Sequence, residues 1–249
     1  MVDDRDLGSR VREANKEFYN TAADIYEQAD GRRTGSLDRW IDRTLQRLSR
    51  AAGSGTLLDI GCGTGIILKS GKKYFSGLYG IDIALEILKR MKTGNGICGD
   101  CAALPLKNGS VNVAVCFAVL HHIYDHTGLL KETYRILKKG GVLYIDHDMD
   151  KVFAGRFYGL IKLYRSLHNA AKRYSKLSSG LTEELYNLSE VHSKGVNVDG
   201  VIRTLNEAGF SDIRRRYHWF GLNPVSNAFF GNREFARGFA PLFSIEATK

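Results

Sequence analysis

The chain has 249 residues, of which 43% are hydrophobic and 25% are charged, as in an ordinary globular domain. No stretch reaches the roughly 18 apolar residues of a membrane span, and no secretion signal is recognisable, so we expect a cytoplasmic protein. The net charge of +9 favours an anionic partner, but it does not choose among nucleic acid, lipid and small substrate.

The four cysteines do not predict a disulfide-stabilised scaffold. Cys98 and Cys101 have the CxxC spacing of a redox pair or of half a zinc site. No second pair of Cys or His residues follows at metal-ligand spacing, so we predict that the chain binds no metal.

The N-terminal residues, 1–30, are polar and rich in charges of both signs. Within them, an apolar helical face that includes Phe18 and Tyr26 predicts a helix that packs on the rest of the domain. Residues 36–52 then show the apolar spacing of an amphipathic helix, which we assign to the scaffold.

The stretch 56–65 reads as a buried strand that runs into three glycines at alternate positions, Gly61, Gly63 and Gly65. A helix-like apolar run begins at Ile66. Open α/β sheets hold nucleotide-like ligands with such a turn, because glycine permits both a tight turn and close approach of the ligand. A dinucleotide fingerprint requires its third glycine where this chain has Ile66, so we expect no NAD binding.

Acidic residues follow the next two predicted strands. The second strand, residues 78–82, ends in Asp82, and a carboxylate at this point can accept both hydroxyls of a ribose. Asp82 also suits the N-cap of the helix that follows, and the two roles are compatible. A third short strand is predicted to end at Asp100, and a fourth spans 111–117.

Two of these motifs resemble those of a known family. Asp-x-Gly-x-Gly-x-Gly over 59–65 resembles the first motif of class I S-adenosylmethionine (SAM)-dependent methyltransferases. Gly-Asp-x-x-x-Leu-Pro over 99–105 resembles a segment of the ubiquinone/menaquinone-biosynthesis (methyltransferase type 11) group. The resemblance implies an α/β, Rossmann-like fold with a seven-stranded, mostly parallel sheet, an antiparallel last strand and helices on both faces.

The resemblance also implies SAM as cofactor and S-adenosylhomocysteine (SAH) as product. By this resemblance Asp82 binds the ribose, Asp100 accepts the adenine amino group, and a tyrosine-containing N-terminal segment folds over the cofactor. The predicted cofactor-binding residues are Tyr19, Tyr26, Asp59, Gly61, Cys62, Gly63, Gly65, Asp82, Ile83, Asp100, Cys101, Phe117 and Ala118.

Histidines cluster just beyond the predicted fourth strand, at the edge where open α/β sheets place ligands. An imidazole titrates in the range useful for proton removal, so His121, His122 and His126 are candidates for a catalytic base. His147, at the ligand edge of the predicted fifth strand, is another candidate. Each has the alternative role of a packed or capping side chain. Apart from Asp125, no carboxylate lies near them at helical spacing, which argues against a metal.

The remaining predicted elements follow the family's order. They are a helix over 127–137 that ends at a glycine turn, 138–141, then a strand at 142–146, a helix at 198–209, and strands at 212–219 and 242–247.

Residues 150–195 are not covered by the resemblance. Apolar residues from Phe153 to Tyr174 recur at steps of four and three, which predicts one long amphipathic helix. Between Lys151 and Thr182 there is no Asp or Glu, whereas Lys and Arg are frequent. A basic helix of this kind covers a lipophilic pocket, lies on a membrane, binds an acidic partner or packs on the sheet domain.

We therefore predict a single domain, 1–249, with an N-terminal cap at 1–35 and a helical substrate lid at 150–195. The predicted function is SAM-dependent methyl transfer to a small, lipophilic or amphiphilic acceptor, with peripheral contact to an anionic membrane through 151–176. The alternatives are an RNA methyltransferase and a catalytically silent SAM-binding module. The residues after the fourth strand, 117–120, lack the Pro-Pro-aromatic motif typical of enzymes that methylate base amino groups.

Overall fold

A computed structural model describes residues 4–26, 35–222 and 224–249. Within them the chain forms seven strands, which are β1 (Thr56–Ile60), β2 (Gly77–Asp82), β3 (Asn95–Cys98), β4 (Val111–Phe117), β5 (Leu137–Met149), β6 (Ser211–His218) and β7 (Leu242–Thr248). They build one sheet in the order β3-β2-β1-β4-β5-β7-β6. β7 runs antiparallel to β5 and β6, and the other neighbouring pairs are parallel. The predicted fold class is therefore confirmed.

The described helices cover both faces of this sheet. In chain order they are α1 (Asp4–Ala22), α2 (Gly35–Ala52), α3 (Ile66–Gly71), α4 (Leu85–Leu88), α5 (Thr127–Ile136), α6 (Lys151–Arg156), α7 (Tyr158–Leu167), α8 (Ala170–Leu177), α9 (Glu183–Ser189), α10 (Val198–Ala208) and α11 (Pro224–Phe230). The predicted cap segment falls partly on residues 1–3 and 27–34, which lie outside the described residues.

The centre of the sheet sets the position of the site. The chain moves outward from β1 to β3 on one side, then returns to β4 on the other side of β1. In open α/β sheets, ligands bind in the crevice at the carboxyl ends of the strands where the order reverses. β1 and β4 flank that crevice here.

The sheet separates two hydrophobic cores. Successive side chains of a strand point to opposite faces, so Leu57 and Leu58 of β1 enter different cores. Leu57 packs with Ile41 and Leu45 of α2, whereas Leu58 belongs to the core that holds Leu129 of α5. All five side chains are buried, which fixes the strands and hence the loops at their carboxyl ends.

A third, smaller apolar cluster is separate from both sheet cores. It joins Phe18 and Ala22 of α1 to Tyr174 of α8 and to Leu181. The rings of Phe18 and Tyr174 meet edge to face, with centroids 5.1 Å apart. α1, α8 and α9 therefore pack together as a layer of their own.

The prediction of one long helix over residues 153–174 is wrong, because the segment forms α6, α7 and α8. At Phe157 the backbone leaves the helical conformation, with φ −108° and ψ 27°. Asn169 starts α8 as its N-cap, since its side-chain oxygen accepts the Lys172 N–H at 3.0 Å. The apolar spacing continues across both breaks, but the helix does not.

The surface of α7 is unusual, because none of its residues is buried. More than half of the surface of each of four apolar residues on one face is exposed: Leu160, Leu163, Tyr164 and Leu167. Across the three described ranges, no helix is both long and apolar enough to cross a membrane.

The predicted helix end at residues 138–141 is also wrong. α5 ends at Ile136, and β5 begins at the next residue. The Gly140 N–H donates to the Lys249 carbonyl at 2.8 Å, and the Lys249 N–H donates to the Gly141 carbonyl at 3.0 Å. These two hydrogen bonds to Lys249 hold the segment at the start of β5 in the sheet. β3 ends two residues before Asp100, earlier than predicted.

Candidate active site

The glycine loop joins β1 to α3. The Gly61 N–H donates to the Ile81 carbonyl at 2.8 Å, which ties the loop to the neighbouring strand. Gly61 has a φ of 68°, and a Cβ there would lie 2.5 Å from Val119 Cγ2, so a larger residue does not fit. At Gly63, where φ is 51°, nothing lies within 4 Å of the Cβ position, so a ligand can approach this backbone.

Asp82 ends β2 beside this loop. Its Oδ2 accepts the Gly63 N–H at 2.9 Å, and its Oδ1 accepts the Ala84 N–H at 3.0 Å. Burial raises the pKa of Asp82, while these backbone hydrogen bonds oppose the rise. Each carboxylate oxygen has a second lone pair, so the side chain can also accept hydroxyl groups from a ligand.

Asp100 connects the turn after β3 to the N-terminal helix. Its Oδ2 accepts from the Arg12 guanidinium of α1 at 2.8 Å, and its Oδ1 accepts the Ala102 N–H at 2.9 Å. The side chains of Arg12 and Asp100 are 49% and 29% exposed. A pair this exposed contributes about 0–1 kcal/mol, so it opens readily.

One cavity of about 670 Å³ unites the predicted site residues. This volume lies within the roughly 300–1,000 Å³ typical of small-molecule sites. The predicted residues that line it are Tyr19, Tyr26, Gly61, Cys62, Gly63, Asp82, Ile83, Asp100, Cys101, Phe117, Ala118, His121, His122 and His147. Their contact with a cofactor or an acceptor stays a prediction.

Asp59 and Gly65 are the two predicted cofactor-binding residues that are not part of the cavity lining. Asp59 is 2% exposed, and its burial, together with the negative charge of Asp82, raises its pKa. Gly65 packs closely against Met91, since a Cβ there would lie 2.7 Å from Met91 Cγ. Both residues therefore stabilise the glycine loop without lining the cavity.

His121 lies in a single helical turn, Leu120–His122, that follows β4. Its Nδ1 is 2.6 Å from Oδ1 of Asp148 in β5, and its backbone N–H donates to the same oxygen at 3.0 Å. Burial acts to raise the pKa of Asp148, but the hydrogen bonds and charge of His121 hold that pKa below its ordinary value. The carboxylate therefore orients the ring, whose Nε2 lies 3.8 Å from Oε2 of Glu190.

His122 is held between two other elements. Its Nδ1 is 2.8 Å from the Ser189 carbonyl at the end of α9, and its Nε2 is 2.8 Å from the Tyr19 hydroxyl of α1. A carbonyl can only accept, so Nδ1 carries the proton and Nε2 accepts from Tyr19. Burial, reinforced by the adjacent His121, lowers the pKa of His122 to about 4, so the ring is neutral at neutral pH.

His147 sits at an irregularity of β5, where the pairing with β7 shifts between Asp146 and Asp148. Its backbone is left-handed, with a φ of 67°, and its ring stacks on Phe117 with centroids 4.1 Å apart. Nδ1 lies 3.0 Å from Asp146 Oδ1, but neither ring nitrogen makes a hydrogen bond of acceptable geometry to the described residues. His147 thus lines the β5 wall of the cavity.

Sequence reasoning missed several lining residues. They are Arg12 and Asn15 on α1, Arg173 and Tyr174 on α8, and Glu190 just beyond α9. Asn15 contacts the site directly, since its side-chain amide donates to the His122 carbonyl at 3.0 Å. None of these positions carries a motif. Only the apolar faces of α1 and α8 signalled that the two helices pack against something.

Comparison with known proteins finds a family model that matches the central part of the chain. Residues 58–145 match a family model described as a methyltransferase domain. This part of the chain is therefore similar to a methyltransferase domain. The match begins in β1 and ends in β5, so it includes the glycine loop, both strand-end acids and the histidines after β4.

Curated relatives of this chain are distant. A probable S-adenosylmethionine-dependent methyltransferase of Mycolicibacterium smegmatis is 26% identical over 177 residues, which are 69% of this chain and 63% of that protein. A ubiquinone biosynthesis O-methyltransferase of Pseudomonas paraeruginosa is 26% identical over 116 residues, which are 43% of this chain and 47% of that protein. The chain thus spans less than two thirds of the length of either relative.

Solved methyltransferase structures share the fold. A SAM-dependent methyltransferase of Thermotoga maritima, described as a possible histamine N-methyltransferase, aligns with a TM-score of 0.57 at 21% identity, over 86% of this chain and 94% of that one. Magnesium protoporphyrin IX methyltransferase of Synechocystis, solved with SAH bound, aligns with a TM-score of 0.58 at 15% identity, over 96% of this chain and 99% of that one. At such identities the likeness establishes the fold alone.

Proposed function

We propose that the protein transfers the methyl group of SAM to a small acceptor and releases SAH. The observation that carries the proposal is the single cavity, which joins the glycine loop and the strand-end acids Asp82 and Asp100 to the histidines beyond β4. The similarity of residues 58–145 to a methyltransferase domain supports SAM as the cofactor.

The cofactor half of the cavity lies along the carboxyl ends of β1, β2 and β3. In this proposal Asp82 accepts the ribose hydroxyls, and the glycine loop approaches the cofactor where Gly63 leaves open space. Asp100 accepts the adenine amino group with the oxygen that Arg12 contacts, so their ion pair must open or be shared.

The chemistry asks mainly for alignment. The methyl carbon of a sulfonium is already electrophilic, so the protein must hold the acceptor atom in line with the carbon–sulfur bond and exclude water. We assign His121, His122 and Tyr19 to the acceptor end of the cavity, because they converge just after β4. His147 on the β5 wall is the third histidine placed to contact the acceptor.

We further propose that the acceptor is lipophilic or amphiphilic. Aromatic rings supply much of the cavity wall, and these are Phe18, Tyr19, Tyr26, Phe117, Tyr124, Tyr174 and Tyr186. Arg173 of α8 lines the same cavity and offers a cation to an anionic group of the acceptor. Three residues of the predicted lid, Phe157, Leu160 and Tyr164, do not line it. We therefore assign the covering role to α8 and α9.

Helix α7 supports a different role, contact with an anionic membrane surface. Its exposed apolar face is flanked by Lys162 and Arg165, and residues 151–176 carry no acidic side chain. A basic amphipathic helix of this kind lies in the headgroup region of a bilayer. We propose a cytoplasmic protein that takes its acceptor from such a surface.

Transfer of a labelled methyl group from SAM tests this function. The purified chain is incubated with labelled SAM and a lipid extract, a water-soluble metabolite extract or RNA, and we expect label in the lipid extract. Label confined to RNA would contradict the small acceptor. Failure of the chain to bind SAH in calorimetry would refute the assignment of the cofactor itself.

A further inference from the structure

We propose that the acceptor end of the cavity binds a divalent transition-metal ion through the imidazoles of His121 and His122 and the carboxylate of Glu190. One possible ligand atom from each of these residues lies within 4.8 Å of the other two. Two imidazoles and a carboxylate form a donor set that holds zinc and other first-row divalent ions in proteins.

Both imidazoles are already held as metal ligands are held. Nδ1 of His121 is 2.6 Å from the Asp148 carboxylate, and Nδ1 of His122 is 2.8 Å from the Ser189 carbonyl. A metal-binding histidine usually donates its second ring N–H to a carboxylate or carbonyl, which fixes the tautomer and aims the other nitrogen at the metal. These two contacts are observations independent of the cluster, and they assign Nε2 of each ring as the ligand atom.

The third ligand reaches the cluster through the fold. Ser189 ends α9, so its contact with His122 also positions Glu190, the next residue. The Glu190 carboxylate lies 3.8 Å from Nε2 of His121. The side chains of His121 and Glu190 are 16% and 23% exposed, so an ion can enter from the cavity and still be shielded from bulk water.

Tyr19 marks the position that the ion would take at His122. Its hydroxyl lies 2.8 Å from Nε2, the ring nitrogen that stays unprotonated when Nδ1 donates to the Ser189 carbonyl. A cation on Nε2 displaces the hydroxyl, which then points its proton towards whatever binds the ion. Tyr19 lines the cavity, so this rearrangement stays within the site.

The role of the ion rests on the proposed function and deepens it. Three protein ligands leave coordination positions open for the acceptor, and the charge of the ion lowers the pKa of a bound hydroxyl. The hydroxyl releases its proton to water, and its oxygen attacks the methyl carbon of SAM. The carbon–sulfur bond breaks, and its electron pair stays on sulfur to give SAH. His121 and His122 then act as ligands, and neither is needed as a base.

Metal titration of the full chain, without a polyhistidine tag and after treatment with a chelator, tests the site. We expect one Zn²⁺ or Co²⁺ per chain in calorimetry, and a Co²⁺ absorption spectrum that shows imidazole coordination. Glu190→Gln and His122→Ala should each weaken binding by at least tenfold, and Asp148→Asn by roughly 10- to 100-fold because it leaves His121 unoriented. His168→Ala changes an exposed histidine outside the cavity and should bind the ion as the unmodified chain does.

The possible results separate the two proposals. If the unmodified chain binds SAH but holds no stoichiometric metal, the metal site is wrong and the methyltransferase proposal stands. If it binds metal at these ligands but no SAH, the site is supported and the proposed function is wrong. Equal metal affinity in the unmodified chain and Glu190→Gln would also overturn the site. Should a variant fail to fold, the Co²⁺ spectrum and the stoichiometry of the unmodified chain still decide.

Discussion

Replacement of Asp82 by alanine gives the sharpest test of where the cofactor lies. The carboxylate accepts the backbone N–H groups of Gly63 and Ala84 at 2.9 and 3.0 Å. Each oxygen has a second lone pair that can accept from a ligand, and Asp82 lines the cavity. Hydrogen bonds to a charged acceptor contribute about 1.5–3 kcal/mol. Loss of the ribose contacts should therefore weaken SAH binding roughly 10- to 150-fold.

The same change also affects the loop, so binding and stability must be measured separately. Calorimetric titration with SAH gives the Kd, and thermal unfolding reports the loss of the two backbone contacts. Asp82→Asn keeps one side-chain oxygen as acceptor but removes the charge, so it should fall between the native chain and Asp82→Ala. Asp42→Ala is the matched control, because Asp42 binds Lys73 and Tyr74 and does not line the cavity.

The outcome that refutes this reasoning is a folded Asp82→Ala chain with an unchanged Kd for SAH. The ribose would then lie elsewhere, even if methyl transfer were slowed. An equal loss of affinity in Asp42→Ala would instead indicate a general effect of removing an acidic side chain.

Two further predictions concern stability and membrane contact. Gly80→Ala should lower the free energy of unfolding by about 1–3 kcal/mol in a denaturant titration, because its Cβ would lie 2.6 Å from the Cys62 sulfur. Gly155→Ala is the control: nothing lies within 4 Å of its Cβ position, so it should not lower the free energy of unfolding. Leu163→Glu on α7 should reduce co-sedimentation with anionic vesicles, and equal sedimentation of the native and variant chains would contradict the membrane role.

The cofactor half of the site was predictable because its signals are local. The glycine spacing and the acidic residues after strands are each recognisable within a short stretch of sequence. A parallel sheet then brings the carboxyl ends of its strands together. Gly61, Gly63, Asp82 and Asp100 therefore line one cavity, as expected. The seven-stranded, mostly parallel sheet with an antiparallel last strand was expected from the resemblance, whereas the order of its strands comes from the structure.

The residues of the acceptor half could not all be predicted from local sequence motifs. Glu190 reaches His121 because α9 packs on α1 and because the His192 N–H donates to the His121 carbonyl at 3.0 Å, and no spacing in the sequence predicts these contacts. Glu190 lies far from both histidines in the sequence, so no local metal-ligand spacing includes it. The prediction of one long helix was wrong for a related reason, because apolar periodicity does not show that Asn169 caps a new helix.

Helix α1 touches both halves of the cavity with a single face. Arg12 meets Asp100, Asn15 meets the His122 carbonyl, and Tyr19 meets the His122 ring. Steps of three and four residues place these contacts on one face of one helix, so a movement of α1 that broke one of them would disturb the other two. If the protein transfers methyl groups as proposed, we expect a compulsory order in which SAM enters first and SAH leaves last. Product inhibition by SAH should then be competitive towards SAM and noncompetitive towards the acceptor.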